Sequence, residues 1–122
     1  MENKEITILA RNDADADDPF KVTFRKRDDN KLVITCTCPE GAHGEFCEHK
    51  FRLASNDIMM LQHPGQNSAM LAAHVWVIET PLSDMLIDLL QMLGEEAKNE
   101  EAIDKARAGI GEVMRDGAAT NL

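Results

Sequence analysis

Two runs of strict alternation dominate the first half of the chain. Phe20, Val22 and Phe24 share one parity, against Lys21, Thr23, Arg25 and Arg27 on the other. Further on, Leu32, Ile34, Cys36 and Cys38 alternate with Lys31, Val33, Thr35 and Thr37. A period of two predicts half-buried strands, and Asp28, Asp29 and Asn30 between them predict a hairpin. Matching the apolar faces pairs Phe24 with Ile34 and Arg27 with Lys31, leaving a three-residue loop. A two-residue loop would set Phe24 against Thr35, apolar beside polar, and is rejected. The loop wants a left-handed residue at its third position, which Asn30 tolerates. Upstream, residues 5–10 read as a short strand. Residues 11–19, polar, acidic and ending in Pro19, read as a linker.

The second half changes to helical spacing. Phe51, Ala54, Ile58 and Leu61 predict a helix from Cys47 to about Gln62, closed by Pro64 and Gly65. The run from Met70 to Ile78, with Asn67 or Ser68 as its cap, is so uniformly apolar that a helix and a buried strand both fit. Thr80 and Pro81 are a helix start, a hydroxyl cap followed by proline in the first turn. Leu82, Met85, Leu86, Leu89, Leu90 and Leu93 make a wide stripe that ends at Gly94. Asn99 caps a last helix with Ala102, Ile103, Ala106, Ile110, Val113 and Met114 inward, weakened by Gly109 and Gly111. The expected class is α+β: a β-hairpin plus helix, then a mainly helical region. The expected divisions are an acidic segment at 1–19, a ββα module at 20–63 and a helical region at 64–122.

Charge sharpens these divisions. The net charge of −9 splits into −4 over residues 1–19, +2 over 20–53 and −7 over 54–122. Only the middle segment is not acidic, so a phosphate backbone would be repelled unless that face were presented. No run of about 18 apolar residues is present, so no membrane span is expected. The first residues lack the basic-then-apolar layout of a signal peptide. Three cysteines, an odd number, argue against a secreted disulfide framework and for a reducing, cytoplasmic setting.

All three cysteines fall in one pattern: Cys36-x-Cys38, eight intervening residues, then Cys47-x-His49. Cys3His is a common structural set for tetrahedral Zn²⁺. Four protein ligands with no open position predict one structural zinc and no catalytic centre. Cys36 and Cys38 share a strand face. Cys47 and His49 cannot share a helix face two residues apart, so Cys47 is placed just before the first turn and His49 within it. Zinc would then supply most of the local folding energy, on the order of 10 kcal/mol.

These residues resemble the SWIM-type zinc finger, whose pattern is C-x-C, a variable spacer, then C-x-H. Here it reads Cys36-Thr37-Cys38-Pro39 and Cys47-Glu48-His49-Lys50, followed by the apolar Phe51-Arg52-Leu53-Ala54. The resemblance covers roughly residues 20–62. It implies a ββα zinc module with a recognition role toward DNA or protein, in a family whose catalysis belongs to other domains. No P-loop or kinase motif is present, so the chain is expected not to be an enzyme.

Other features weigh less. His43 lies in the spacer as a competing ligand, but a histidine in a glycine-rich loop is more often solvated. His63 is expected at a helix C-terminus, and His74 and Trp76 in the core. Asp13, Asp15 and Asp17 have the spacing of a calcium loop, but Asp18 and Phe24 replace its required Gly and Glu. Lys21, Arg25, Arg27 and Lys31 line the polar hairpin face, with Lys50 and Arg52 on the helix. They form either a phosphate-contacting patch or an ordinary solvated face. The 82–93 stripe reads first as core and second as a homo-oligomer surface. Seven methionines suit an adaptable interface or a loose core alike. The favoured function is a protein-interaction adaptor, with DNA binding as the alternative. A thiol-redox protein using Cys36 and Cys38 is a third reading, which leaves Cys47 and His49 unexplained.

Overall fold

The computed structural model describes residues 4–27 and 29–119. Its centre is a four-stranded antiparallel meander, β1 (Lys4–Ala10), β2 (Phe20–Lys26), β3 (Lys31–Cys36) and β4 (Ala118–Ala119), in that spatial order. The alternation sets the register as expected. Phe24 lies opposite Ile34, and Arg27 donates its N–H to the Lys31 carbonyl at 2.9 Å. Asn30 takes the left-handed conformation with φ 64°. Asp28, the first loop residue, lies outside the described residues. The strand expected at 5–10 runs the length of β2, with Ile6 opposite Phe24 and Ile8 opposite Val22. The sheet therefore has two strands more than the hairpin read from the sequence.

Five helices follow: α1 (Pro39–Ala42), α2 (Glu48–Ala54), α3 (Asn67–Ile78), α4 (Leu82–Gly94) and α5 (Glu100–Asp116). The apolar run at 70–78 is thus a helix. The long helix expected from Cys47 to Gln62 is corrected: it stops at Ala54. Asn56 and Asp57 end it, and the Asp57 carboxylate accepts the Met59 N–H at 3.0 Å. Asn56 turns left-handed with φ 65°. Its N–H reaches the Leu53 carbonyl and the Asp57 N–H the Arg52 carbonyl, a Schellman closure. Ile58 and Met59 consequently face solvent in a 3₁₀ turn instead of the core. His63, expected at that helix's end, instead precedes a separate turn, Pro64–Gln66.

Asn67 and Ser68 do not cap α3, which starts after Gln66 with no side-chain cap, but the other two expected caps form. The Thr80 hydroxyl, buried, donates to the Val77 carbonyl at 2.9 Å and accepts from the Leu82 N–H at 3.2 Å. Asn99 accepts from the Ala102 N–H at 3.1 Å. Leu82, Leu86 and Leu89 of α4 and Ile103, Ile110 and Met114 of α5 are buried, joining one continuous core with Ile8, Val22, Phe24, Ile34 and Phe51. His74 is half-buried, its Nδ1 2.8 Å from the Ala54 carbonyl, and Trp76 packs against the core beneath the Lys26 ammonium. Among the described residues no single helix is long and apolar enough to cross a membrane; Pro64–Ile78 and Leu82–Gly94 together reach that length but are bent by 104°.

Candidate metal centre

The sheet, α1 and α2 bring four side chains to one point. Cys36 closes β3 opposite Val22. Beyond it the chain stays paired, because the Thr37 N–H reaches the Lys21 carbonyl and its hydroxyl accepts the Lys21 N–H. Cys38 therefore keeps the parity of Cys36. Pro39 then starts α1 with Cys38 as N-cap, and the Cys38 Sγ accepts the Gly41 N–H at 3.3 Å. The same geometry recurs at α2. Cys47 is its N-cap, and the Cys47 Sγ accepts the Lys50 N–H at 3.3 Å. His49 occupies the first turn, Nδ1 3.8 Å from the Cys36 Sγ, with its ring against Phe20 at 4.5 Å between centroids. The ligand atoms of Cys36, Cys38, Cys47 and His49 all lie within 4.8 Å of one another, and together they can hold a metal ion.

The surroundings fit a cation. All three cysteines are buried and free of disulfides. Burial pushes the Cys38 thiol above its ordinary value. Cys47 is pushed up to about 12, first by its hydrogen bond with Cys36 and then by burial. Thiols packed this closely resist becoming anions together. A divalent ion among them reverses that balance by supplying the positive charge. The two N–H···S bonds fix the sulfurs and favour their thiolate form, the role outer partners play around metal ligands. Three sulfurs and an imidazole suit a soft or borderline ion.

Glycines make the close approaches. A Cβ on Gly41 would sit 2.6 Å from the Cys36 Cβ and 2.8 Å from its carbonyl oxygen. Gly44 is left-handed at φ 74°, turning the spacer back beneath Arg115. Gly111 of α5 lies against the backbone of Phe46, where a Cβ would be 2.6 Å from the Phe46 nitrogen. Phe46 then wedges between Phe51 and the Arg107 guanidinium. The last helix thus braces the loop that delivers Cys47. A groove of about 490 Å³ opens onto the centre, lined by Cys47 and His49 together with Glu40, Phe46, Glu48 and Arg107. The sequence gives no sign of Phe46 or Arg107 at the site, nor of the close approaches that Gly41 and Gly111 make. Its one usable hint was a glycine on the inward stripe of an otherwise regular α5.

The remaining candidates separate. His43 is exposed, its Nδ1 2.8 Å from the Pro39 carbonyl, and stands outside the ligand cluster. Lys21 and Arg25 share the outer face of the sheet with Thr7, Thr23 and Thr35, and Glu5 stands opposite Arg25. Arg27 pairs with Asp29, and Arg52 with Glu48 and Asp57. Lys50 is fully buried, its Nζ without a hydrogen-bond partner, so it cannot meet a phosphate as expected. Asn12 and Asp15 fold the 11–19 segment into side-chain-capped turns, with the Asn12 Oδ1 accepting from Ala14 and the Asp15 Oδ1 from Asp17.

Comparison of the chain with protein-family models, with curated proteins and with solved structures finds no match. The residues and their geometry are therefore what the functional reading stands on.

Proposed function

We propose that this protein is a non-catalytic recognition module organised by one structural Zn²⁺, of the SWIM type that its Cys-x-Cys and Cys-x-His pairs resemble. The convergence of the four donors within 4.8 Å carries the reading. A tetrahedral ion with Zn–S bonds near 2.3 Å needs donor atoms about 3.7 Å apart. The 3.8 Å between the Cys36 Sγ and the His49 Nδ1 meets that already. The zinc ties the end of β3 to the first turns of α1 and α2, ordering the spacer that α5 rests on. Within this reading the protein is an adaptor for another protein. Of the six basic residues, Arg27 and Arg52 are already answered by carboxylates and Lys50 is buried, and the helical half is strongly acidic. DNA binding is the second reading, favoured by Lys21 and Arg25 on the open face of the sheet.

Elemental analysis of untagged protein tests the zinc: about one per chain is expected, lost in Cys47→Ala and His49→Ala. Thiols that alkylate freely in the native protein, with no metal bound, would overturn it. Titration with a fluorescent DNA duplex separates the two functions. No binding at physiological salt supports the adaptor. Binding that falls steeply with salt and is lost in Arg25→Glu establishes the DNA reading.

A further inference from the structure

Helix α3 is apolar on every side. Met70, Ala73 and Val77 fill the core. Leu71, Val75 and Ile78 point the other way and are 54%, 43% and 54% exposed. Their spacing places them on one outer stripe. Ser68 and Ala72, both small and exposed, lie along it. A helix apolar all round is ordinarily covered on both sides, and this fold covers one.

We propose that a second copy of this chain covers the other side, the two α3 helices packing antiparallel across a two-fold axis near Val75. Charge selects that occupant first. The chain carries −9, so two copies repel over most of their surfaces. Between Asn67 and Ile78 there is no charged residue, whereas α4 and α5 both carry acidic ones. This is the long helix on which two such molecules can touch without burying like charges. A partner recognised by opposite charge would find nothing here to pair with.

Shape selects the same occupant. A two-fold interface must be self-complementary, each contact occurring twice. In an antiparallel pair whose axis passes between His74 and Val75, Leu71 of one copy falls beside Ile78 of the other, and the reverse. The smaller Val75 of each copy flanks the axis, with Ala72 beside it to let the helices close. The size agrees. The three stripe residues leave roughly 300 Å² of apolar surface open, the size of the largest apolar patch on many monomers, which is often functional. That is enough for the apolar centre of an interface burying ~800 Å² per partner. The inference does not rest on the zinc reading. It also moves the expected self-association surface from the 82–93 helix, whose leucines mostly face the core, to its neighbour.

Sedimentation equilibrium of the full, metal-loaded chain tests the proposal. A reversible dimer of the 13.6 kDa chain is expected. Val75→Glu sets two carboxylates face to face and should weaken association about tenfold or more, with circular dichroism and metal content unchanged. Ile87→Glu, on the exposed side of α4, should leave association intact. If Val75→Glu does not fold, Leu71→Gln keeps a good helix former on the same stripe and should weaken the dimer in the same direction. A monomer at every concentration up to about 1 mM overturns the proposal. So does association lost in Ile87→Glu and retained in the α3 variants. Binding of a monomeric chain to phosphatidylcholine vesicles, abolished by Val75→Glu, would likewise overturn it by naming a lipid surface as the occupant.

Discussion

At the scale of single residues, the candidate centre depends on groups outside the four-residue cluster. Gly41 shows this most sharply. Any side chain there collides with the strand end that carries Cys36. Gly41→Ala should destabilise the folded protein by roughly 1–3 kcal/mol, the cost of overpacking against backbone. A thermal melt of the variant checks it, and an unchanged midpoint would mean the spacer can shift freely. The thiols make a second prediction, whose sign follows from linkage. Folded Cys47 keeps its proton to about 12, above the 9.0 of an unconstrained thiol. Its contribution is therefore fully present below pH 9 in the metal-free protein and is lost as pH rises toward 12. Metal reverses the requirement, because bound sulfur must be deprotonated. Loading at neutral pH should release at least two protons per chain, from Cys38 and Cys47. Calorimetry in buffers of different ionisation heat reads that number directly.

At the scale of elements, what the sequence made legible was whatever depends on local spacing. The register of β2 and β3 followed from matching apolar parities, and Asn30 from the loop length that matching leaves. The caps at Thr80 and Asn99 followed from side-chain chemistry. The helix after Cys47 was overextended because Ile58 and Leu61 happen to continue its period. The left-handed turn at Asn56 and the Asp57 carboxylate, which accepts the Met59 N–H, outweigh two apolar side chains, one of which ends up in solvent. The two glycines of α5 look equivalent in sequence and are opposite in the fold. A Cβ on Gly109 would meet only the Met85 Cε at 3.6 Å, ordinary contact, whereas one on Gly111 would strike the Phe46 backbone. Gly109→Ala should therefore stabilise by about 0.5–1 kcal/mol through helix propensity. Gly111→Ala should destabilise by about 1–3 kcal/mol, since Phe46 cannot yield without moving Cys47. Denaturant melts of the two variants check the contrast, and a matching sign would refute the brace.

At the scale of the whole molecule, the cluster of Cys36, Cys38, Cys47 and His49 could be read from the sequence because a site able to hold a metal needs particular residue types. Their supports could not, since Phe46 meets Gly111 across more than half of the chain's length. No local pattern encodes such pairings. β4 escaped notice for the same reason. Ala118 and Ala119 have no strand signature and are drawn into pairing by the arrival of α5 beside β3. The long-range supports give the centre a reach beyond its own loop. Chelation should expose the amides of α5 to hydrogen exchange together with those of α1 and α2, while the β1–β2 pairing persists longer. Loss confined to residues 36–54 would show that α5 stands without the metal.

That arrangement also gives the centre a temporal order. Cys36, Cys38, Cys47 and His49 leave the ribosome well before Gly111, the residue that seats the last helix on their loop. The ligands are thus free to chelate while the chain is still growing, and the brace closes over a loop whose course is already set. Metal acquired during synthesis would then guide the docking of α5, and a chain finished without metal would have to dock it on an unordered loop.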